Sequence, residues 1–100
     1  MAARIIIEAT TSAVTTDRIT LTAQNTPCAF TAIGLGSGED ITFEFGDGQG
    51  NWETAKQNGA TVSLKYDNQN QGIYGPCEIR FVKPSSAGAA GVTWHVKDDA

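Results

Sequence analysis

The hundred-residue chain has one histidine, His95, and two cysteines, Cys28 and Cys77. Triads and dyads need a base beside a nucleophile, and a tetrahedral metal site needs several His or Cys at ligand spacing. Neither has material here, so the chain reads as a non-enzyme with no metal or other cofactor. Leucine is scarce, limited to Leu21, Leu35 and Leu64, and the sole methionine is the first residue. With Thr and Gly plentiful, that favours strands and tight turns over helices. Long apolar runs are missing too. Ile5-Ile6-Ile7 is closed by Glu8, short of the roughly seven apolar residues of a signal peptide and the ~20 of a membrane span. The expectation is a chain that begins at its own Met and stays in the cytosol where it is made. Basic clusters are absent as well. Seven Lys and Arg face eleven Asp and Glu, for a net charge of −4. An acidic surface repels phosphate backbones and anionic lipid, so neither nucleic acid nor membrane is an expected partner. The imbalance lies in the first half, where Arg4 and Arg18 face Glu8, Asp17, Glu39, Asp40, Glu44 and Asp47.

What is abundant is Thr, Ala and Gly, and the hydrophobic pattern has period two. Residues 4–8 form a β-branched run. Residues 18–23 place Ile19, Leu21 and Ala23 on one face, and 28–33 restart after Pro27. Residues 41–45 place Ile41, Phe43 and Phe45 together, and 61–66 place Val62, Leu64 and Tyr66. Residues 77–82 place Cys77, Ile79 and Phe81 together, and 92–97 place Val92, Trp94 and Val96. Alternate strand side chains face opposite ways, so each run offers one apolar face. Gly-rich stretches at 34–38 and 46–50, Asn58-Gly59, Gln71-Gly72 and Gly75-Pro76 are turn signals. Asn58-Gly59 predicts a hairpin between 52–56 and 61–66. Residues 84–91 read as a longer loop of small residues. Most gaps are too short for parallel crossovers. The expected fold is all-β: one domain over residues 1–100, an antiparallel β-sandwich or small barrel of about seven to eight short strands, immunoglobulin-like or jelly-roll-like, with 98–100 a frayed tail. The expected core is Ile19, Leu21, Phe30, Ile41, Phe43, Phe45, Val62, Leu64, Ile79, Phe81, Val92 and Trp94.

Each chemically suggestive group has a plainer reading. His95 lies on the polar side of its strand, away from its neighbours Trp94 and Val96. Asp40, Glu44, Asp47 and Glu53 are close in sequence, but a glycosidase needs two carboxylates at a set separation, and Asp47 between Gly46 and Gly48 is a turn residue. Asp67, Gly72 and Glu78 fall at positions one, six and twelve of a calcium-loop spacing, but Gln69 and Gln71 stand where shorter ligands belong. This stretch reads as a polar loop. Cys28 and Cys77 read as two buried thiols, with a disulfide geometrically conceivable because both open predicted strands. Trp52 either closes one end of the core or is exposed as an anchor for a partner or a sugar.

Two resemblances go further. Phe43-Glu44-Phe45-Gly46-Asp47-Gly48 resembles the Asp-Phe-Gly-Asp-Gly signature of polycystic-kidney-disease-type immunoglobulin-like domains, departing where Phe43-Glu44 replace Trp-Asp; it reads as convergence on a strand-turn solution. The run Tyr74 to Pro84, with the tail from Ser85 to Val92 and the earlier Gly46–Trp52 segment, resembles small tailed-bacteriophage virion proteins. That implies a structural role with no catalytic residues: a capsid decoration (cement) protein, or a neck, tail or head-fibre component. The implied partners are the major capsid protein or another virion protein, and further copies of the chain in a homo-oligomer such as a trimer. The implied location is the virion, assembled in the host cytoplasm. Expected contact segments are residues 1–8, the Gly46–Trp52 turn and the 84–91 loop, with Arg4, Ile5, Asp47, Gln49, Asn51, Trp52, Ser85 and Ser86 as contact residues. The runner-up is an immunoglobulin-like carbohydrate-binding or adhesion module with Trp52 and Tyr74 as its platform.

Overall fold

A computed structural model describes residues 2–23, 28–73 and 76–96. Tyr74 and the 98–100 tail lie outside them. Twelve short strands form, and no helix is present among the described residues. One sheet runs in the order β1 (Ala2–Thr10), β12 (Ala90–Val96), β4 (Cys28–Ile33), β10 (Asn70–Ile73). The other centres on β11 (Cys77–Lys83) and β5 (Asp40–Gly46). On the far side of β11 lie β2 (Val14–Thr15) and β3 (Ile19–Leu21), and on the far side of β5 lie β6 (Trp52–Thr54) and β9 (Ser63–Lys65). All pairings are antiparallel.

The split edge strands each occupy one position. Thr16 bridges β2 and β3: its N–H donates to the Phe81 carbonyl at 3.0 Å, and its hydroxyl accepts the Phe81 N–H at 2.9 Å. Ala55 continues β6 by donating to the Phe43 carbonyl at 2.9 Å, and Val62 returns the chain by donating to the Ala55 carbonyl at 2.9 Å. Between them a small hairpin of β7 (Lys56–Gln57) and β8 (Ala60–Thr61) leaves the sheet. Asn58 and Gly59 turn it with φ of 53° and 82°, the double positive φ of a type I′ turn that Asn-Gly favours. The expected hairpin is therefore present but shorter. Trp52–Thr54 and Ser63–Lys65 both pair with β5 instead of with each other.

Counted this way, eight strand positions pair as first with eighth, second with seventh, third with sixth and fourth with fifth. That nesting is the order of a jelly roll, so the structure selects that member of the expected pair of sandwich types.

The core fills the space between the sheets. Phe30 and Phe81 are fully buried with ring centroids 4.8 Å apart, Trp94 stacks on Phe30 at 5.7 Å, and Phe43 meets Phe81 at 5.7 Å. Leu21, Ile41, Leu64, Ile79 and Val92 join it, as do Ile7, Cys28 and Ile73, with Ile19 and Val62 half-buried against it.

Several expectations need correction. Phe45 is 41% exposed instead of being core. It keeps the inward direction of Ile41 and Phe43, but the facing strand offers only Gln71, Gly72 and Ile73 there and leaves a gap of about 230 Å³. Tyr66 is exposed because it sits in the tight turn between Lys65 and Asn68, which exchange backbone hydrogen bonds of 2.9 and 3.1 Å. Residues 70–73, read as loop, pair with β4 despite their polar composition, because the ladder uses backbone groups that every residue carries. The 84–91 loop ends earlier, since Ala90 and Gly91 already belong to β12. Gly91 is required there, as a side chain would strike the backbone of Ile7 and Ala9 where β1 bulges across it.

Candidate functional site

The expected contact residues fall into three separate places. Arg4 and Ile5 lie on β1, an edge strand whose second side pairs with no strand among the described residues. Ile5 is 62% exposed. The Arg4 guanidinium lies 5.6 Å from the centre of the Trp94 ring, so it covers the edge of the core.

Asp47, Gln49, Asn51 and Trp52 do come together. Asp47 Oδ1 accepts the N–H of Gln49 at 2.7 Å and of Asn51 at 3.2 Å, and its Oδ2 accepts the Asn51 amide at 2.9 Å. The Asn51 side chain, followed by the Gln49 N–H, holds the Asp47 carboxyl below the usual range. All the carboxylate's strong bonds are internal, so Asp47 builds the turn. Gly48 and Gly50 supply the positive φ of 80° and 92° this turn uses.

Trp52 follows on the outer face of the second sheet. This overturns the reading in which it closes the core. Its register partner is Gly46, and Arg80 from β11 reaches across to place its guanidinium 4.5 Å from the indole centre. Arg80 Nε also donates to Glu44 Oε1 at 2.6 Å. Glu78 alongside accepts the Gly48 N–H at 3.1 Å and lies 3.7 Å from Arg18. The outer face thus carries a charged lattice that immobilises the indole and covers it.

Ser85 and Ser86 stand at the other end of β5, in a loop that shares a cavity of about 130 Å³ with Leu35, Glu39, Asp40 and Ile41. Here lies the group that the sequence reading missed. Lys83 is 1% exposed. Its ammonium donates to the carbonyls of Ser12 at 2.7 Å and Pro84 at 3.2 Å, and to the Ser86 hydroxyl at 3.2 Å. Glu39 accepts the N–H of Gly36 and of Ala87, both at 2.7 Å. The Ala87 bond, then the Gly36 bond and the Lys83 charge, lower its carboxyl pKa. Three loops are thereby tied together. The signal for Lys83 was its parity: it is the next inward position after Cys77, Ile79 and Phe81. Ser86 is spent inside this clamp, while Ser85 is exposed.

His95 is half-buried, with Nε2 3.1 Å from the Thr31 hydroxyl. Thr31 donates its proton to Asn70 Oδ1 at 2.6 Å, so that proton is directed away from the imidazole, and a base–nucleophile pair would need the opposite arrangement. Asp67 of the calcium-like spacing sits in the Lys65–Asn68 turn, whereas Glu78 is engaged by Arg18 and Gly48 on the second sheet. No three His, Cys, Asp or Glu side chains converge as metal ligands among the described residues.

A cleft of about 600 Å³ lies beside the projecting hairpin, lined by Phe45, Asp47, Asn51, Glu53, Thr54 and Lys56, with Gly46 and Ala55. Its apolar floor is Phe45, whose ring meets Phe43 edge-on at 5.7 Å. No family model matches the chain, and comparison with curated proteins and with solved structures finds no significant similarity.

Proposed function

We propose that the chain is a non-enzymatic structural protein of a bacteriophage virion, a head-decoration protein that binds and stabilises the outer capsid surface as a homo-oligomer. One observation carries this reading: β1, a nine-residue strand at a sheet edge, leaves one side unpaired among the described residues and bears the exposed Ile5 beside Arg4 and Glu8. An open edge with an apolar residue in line is a template for pairing with another chain. The jelly-roll order supports the reading by analogy, because this architecture recurs in capsid proteins. The Asp47 turn and the Arg80–Glu44 pair are held by internal bonds, which suits a rigid cladding piece that is held by many shallow contacts and multiplied by symmetry.

The test is to add purified chain to capsids lacking it and measure sedimentation of the complex and the force or temperature at which shells rupture. Co-sedimentation and a higher rupture threshold, both lost with Ile5→Asp, are expected. Virions from the source that lack the chain would overturn the proposal.

One observation favours a second reading, a carbohydrate-binding module. The cleft around Phe45 combines an exposed aromatic ring with Asn51, Glu53 and Lys56, the mixture that stacks on and hydrogen-bonds a sugar. The platform would then be Phe45, because the Trp52 ring is taken by Arg80. A glycan array decides: binding abolished by Phe45→Ala supports it, and an empty array dismisses it.

A further inference from the structure

We propose that Cys28 and Cys77 are the two halves of a latent cross-sheet disulfide, a redox modification site that staples one end of the jelly roll when the protein meets an oxidant. The two residues are not bonded to each other in this structure.

The case begins with register. Cys28 opens β4 in the first sheet and lies opposite Ile73, the last residue of β10. Cys77 opens β11 in the second sheet and lies opposite Leu21, the last residue of β3. The chain crosses between sheets at these same four residues: from Leu21 to Cys28 through six residues, and from Ile73 to Cys77 through three. Three linking residues span at most about 14 Å between the flanking Cα atoms. Cys77 is thus tethered within about 14 Å of Ile73, and Ile73 is the strand neighbour of Cys28.

Direction comes next. Cys28 shares inward parity with Phe30 and Ala32 and is buried in the core, where its thiol makes a long contact of 3.9 Å to the Ile73 carbonyl. Cys77 shares inward parity with Ile79 and Phe81 and is half-buried against the same core. Both side chains therefore enter the same space from facing sheets at the same end. Burial raises both thiol pKa values, and Cys28 adds to the rise at Cys77. Bridging requires Cα atoms about 4.4–6.8 Å apart. Sheets lie about 10 Å apart at mid-sandwich. The bridge therefore needs the starts of β4 and β11 to approach to the bridging separation at this end of the sandwich.

The oxidant is a small-molecule disulfide such as oxidised glutathione. The Cys77 thiolate, the more exposed of the two, attacks one glutathione sulfur. A mixed disulfide forms, and the first glutathione thiolate leaves. The Cys28 thiolate then attacks the Cys77 sulfur, the protein disulfide closes, and the second glutathione leaves. The two protons given up by the cysteines end on the two glutathione thiols, so one disulfide is consumed and one formed. Because the thiolate is the attacking species and both thiols titrate high, closure accelerates as pH rises above neutrality.

The experiment incubates the full chain with oxidised glutathione at pH 8 and reads intact mass and a non-reducing peptide map. The expected product is lighter by two hydrogen atoms, links the Cys28 and Cys77 peptides, melts at higher temperature than the reduced chain, and reverts with dithiothreitol. The Cys28→Ser variant should stop at one glutathione on Cys77 with no rise in melting temperature. A second measurement needs no variant: after partial oxidation, alkylation under denaturing conditions should give molecules with both thiols labelled or neither. A stable glutathione adduct on wild-type Cys77, disulfide-linked dimers as the sole product, or no reaction at pH 9 would each overturn the proposal.

Discussion

The six-membered edge of the Trp52 indole lies where a side chain on Gly46 would stand: a β-carbon built there comes within 3.0 Å of Cη2 and Cζ3. The Glu78 carboxylate crowds the same spot. Glycine weakens a strand interior on its own account, and the aromatic ring laid across it supplies the missing packing. Gly46→Ala should displace the indole, separate it from Arg80 and destabilise the fold by about 1–3 kcal/mol, the usual cost of overpacking. The near-ultraviolet circular dichroism of Trp52 should weaken in step, and an unchanged spectrum would contradict this placement.

The two phenylalanines that share a strand face should behave differently. Phe43→Ala removes a ring packed on Phe81 and should cost about 3–5 kcal/mol, whereas Phe45→Ala should cost no more than about 1.5 kcal/mol because its ring already meets water. Urea denaturation of the pair reads the contrast, and equal losses would mean that the end of the sandwich is closed in solution.

Acid should loosen two loops. The folded pKa values of Glu39 and Asp47 are lowered, so their contribution to stability is present in full above the ordinary carboxyl values and is lost as pH falls through the lowered ones. Melting temperature should fall progressively below about pH 4.5. Glu39→Gln should lower the melting temperature at pH 7 and flatten its acid dependence. A variant as acid-sensitive as wild type would show that other carboxyls set the decline.

Lys83 should be intolerant of truncation. Lys83→Ala removes a buried ammonium that satisfies the Ser12 and Pro84 carbonyls and the Ser86 hydroxyl, and should cost about 3 kcal/mol or more. Hydrogen exchange should speed at the amides of Thr16, Ser86 and Ala87. If exchange there stays slow, the loops hold without the clamp.

Local readings survived where one residue type has one physical use. Asn58-Gly59 marked a type I′ turn, and Asp47 between glycines marked a side-chain-capped turn. Inward alternation at Phe30, Ile41, Phe43, Ile79, Phe81, Val92 and Trp94 marked the core. Of the expected contact residues, the four in the Gly46–Trp52 turn are indeed neighbours, because they are close in the chain. The failures came where a distant partner decides. Phe45 has the same parity as Phe43, but Gln71, Gly72 and Ile73 opposite it leave an open gap. Asn70–Ile73 lacks an apolar pattern, and β4 recruits it through backbone hydrogen bonds that no side chain advertises. Lys83 looks like a surface charge until three loops converge on it.

The amino-acid sequence by itself determined that this protein is built of short antiparallel strands around one aromatic core, because period two and glycine turns are local properties of the chain. Only the tertiary structure decided which strands are neighbours. Pairing first with eighth and second with seventh joins residues far apart in sequence, and that choice follows from how two twisted sheets best cover each other's apolar faces. The same long-range closure set Cys28 and Cys77 at one end of the sandwich, tied Lys83 into the other, and left one side of β1 without a partner strand among the described residues.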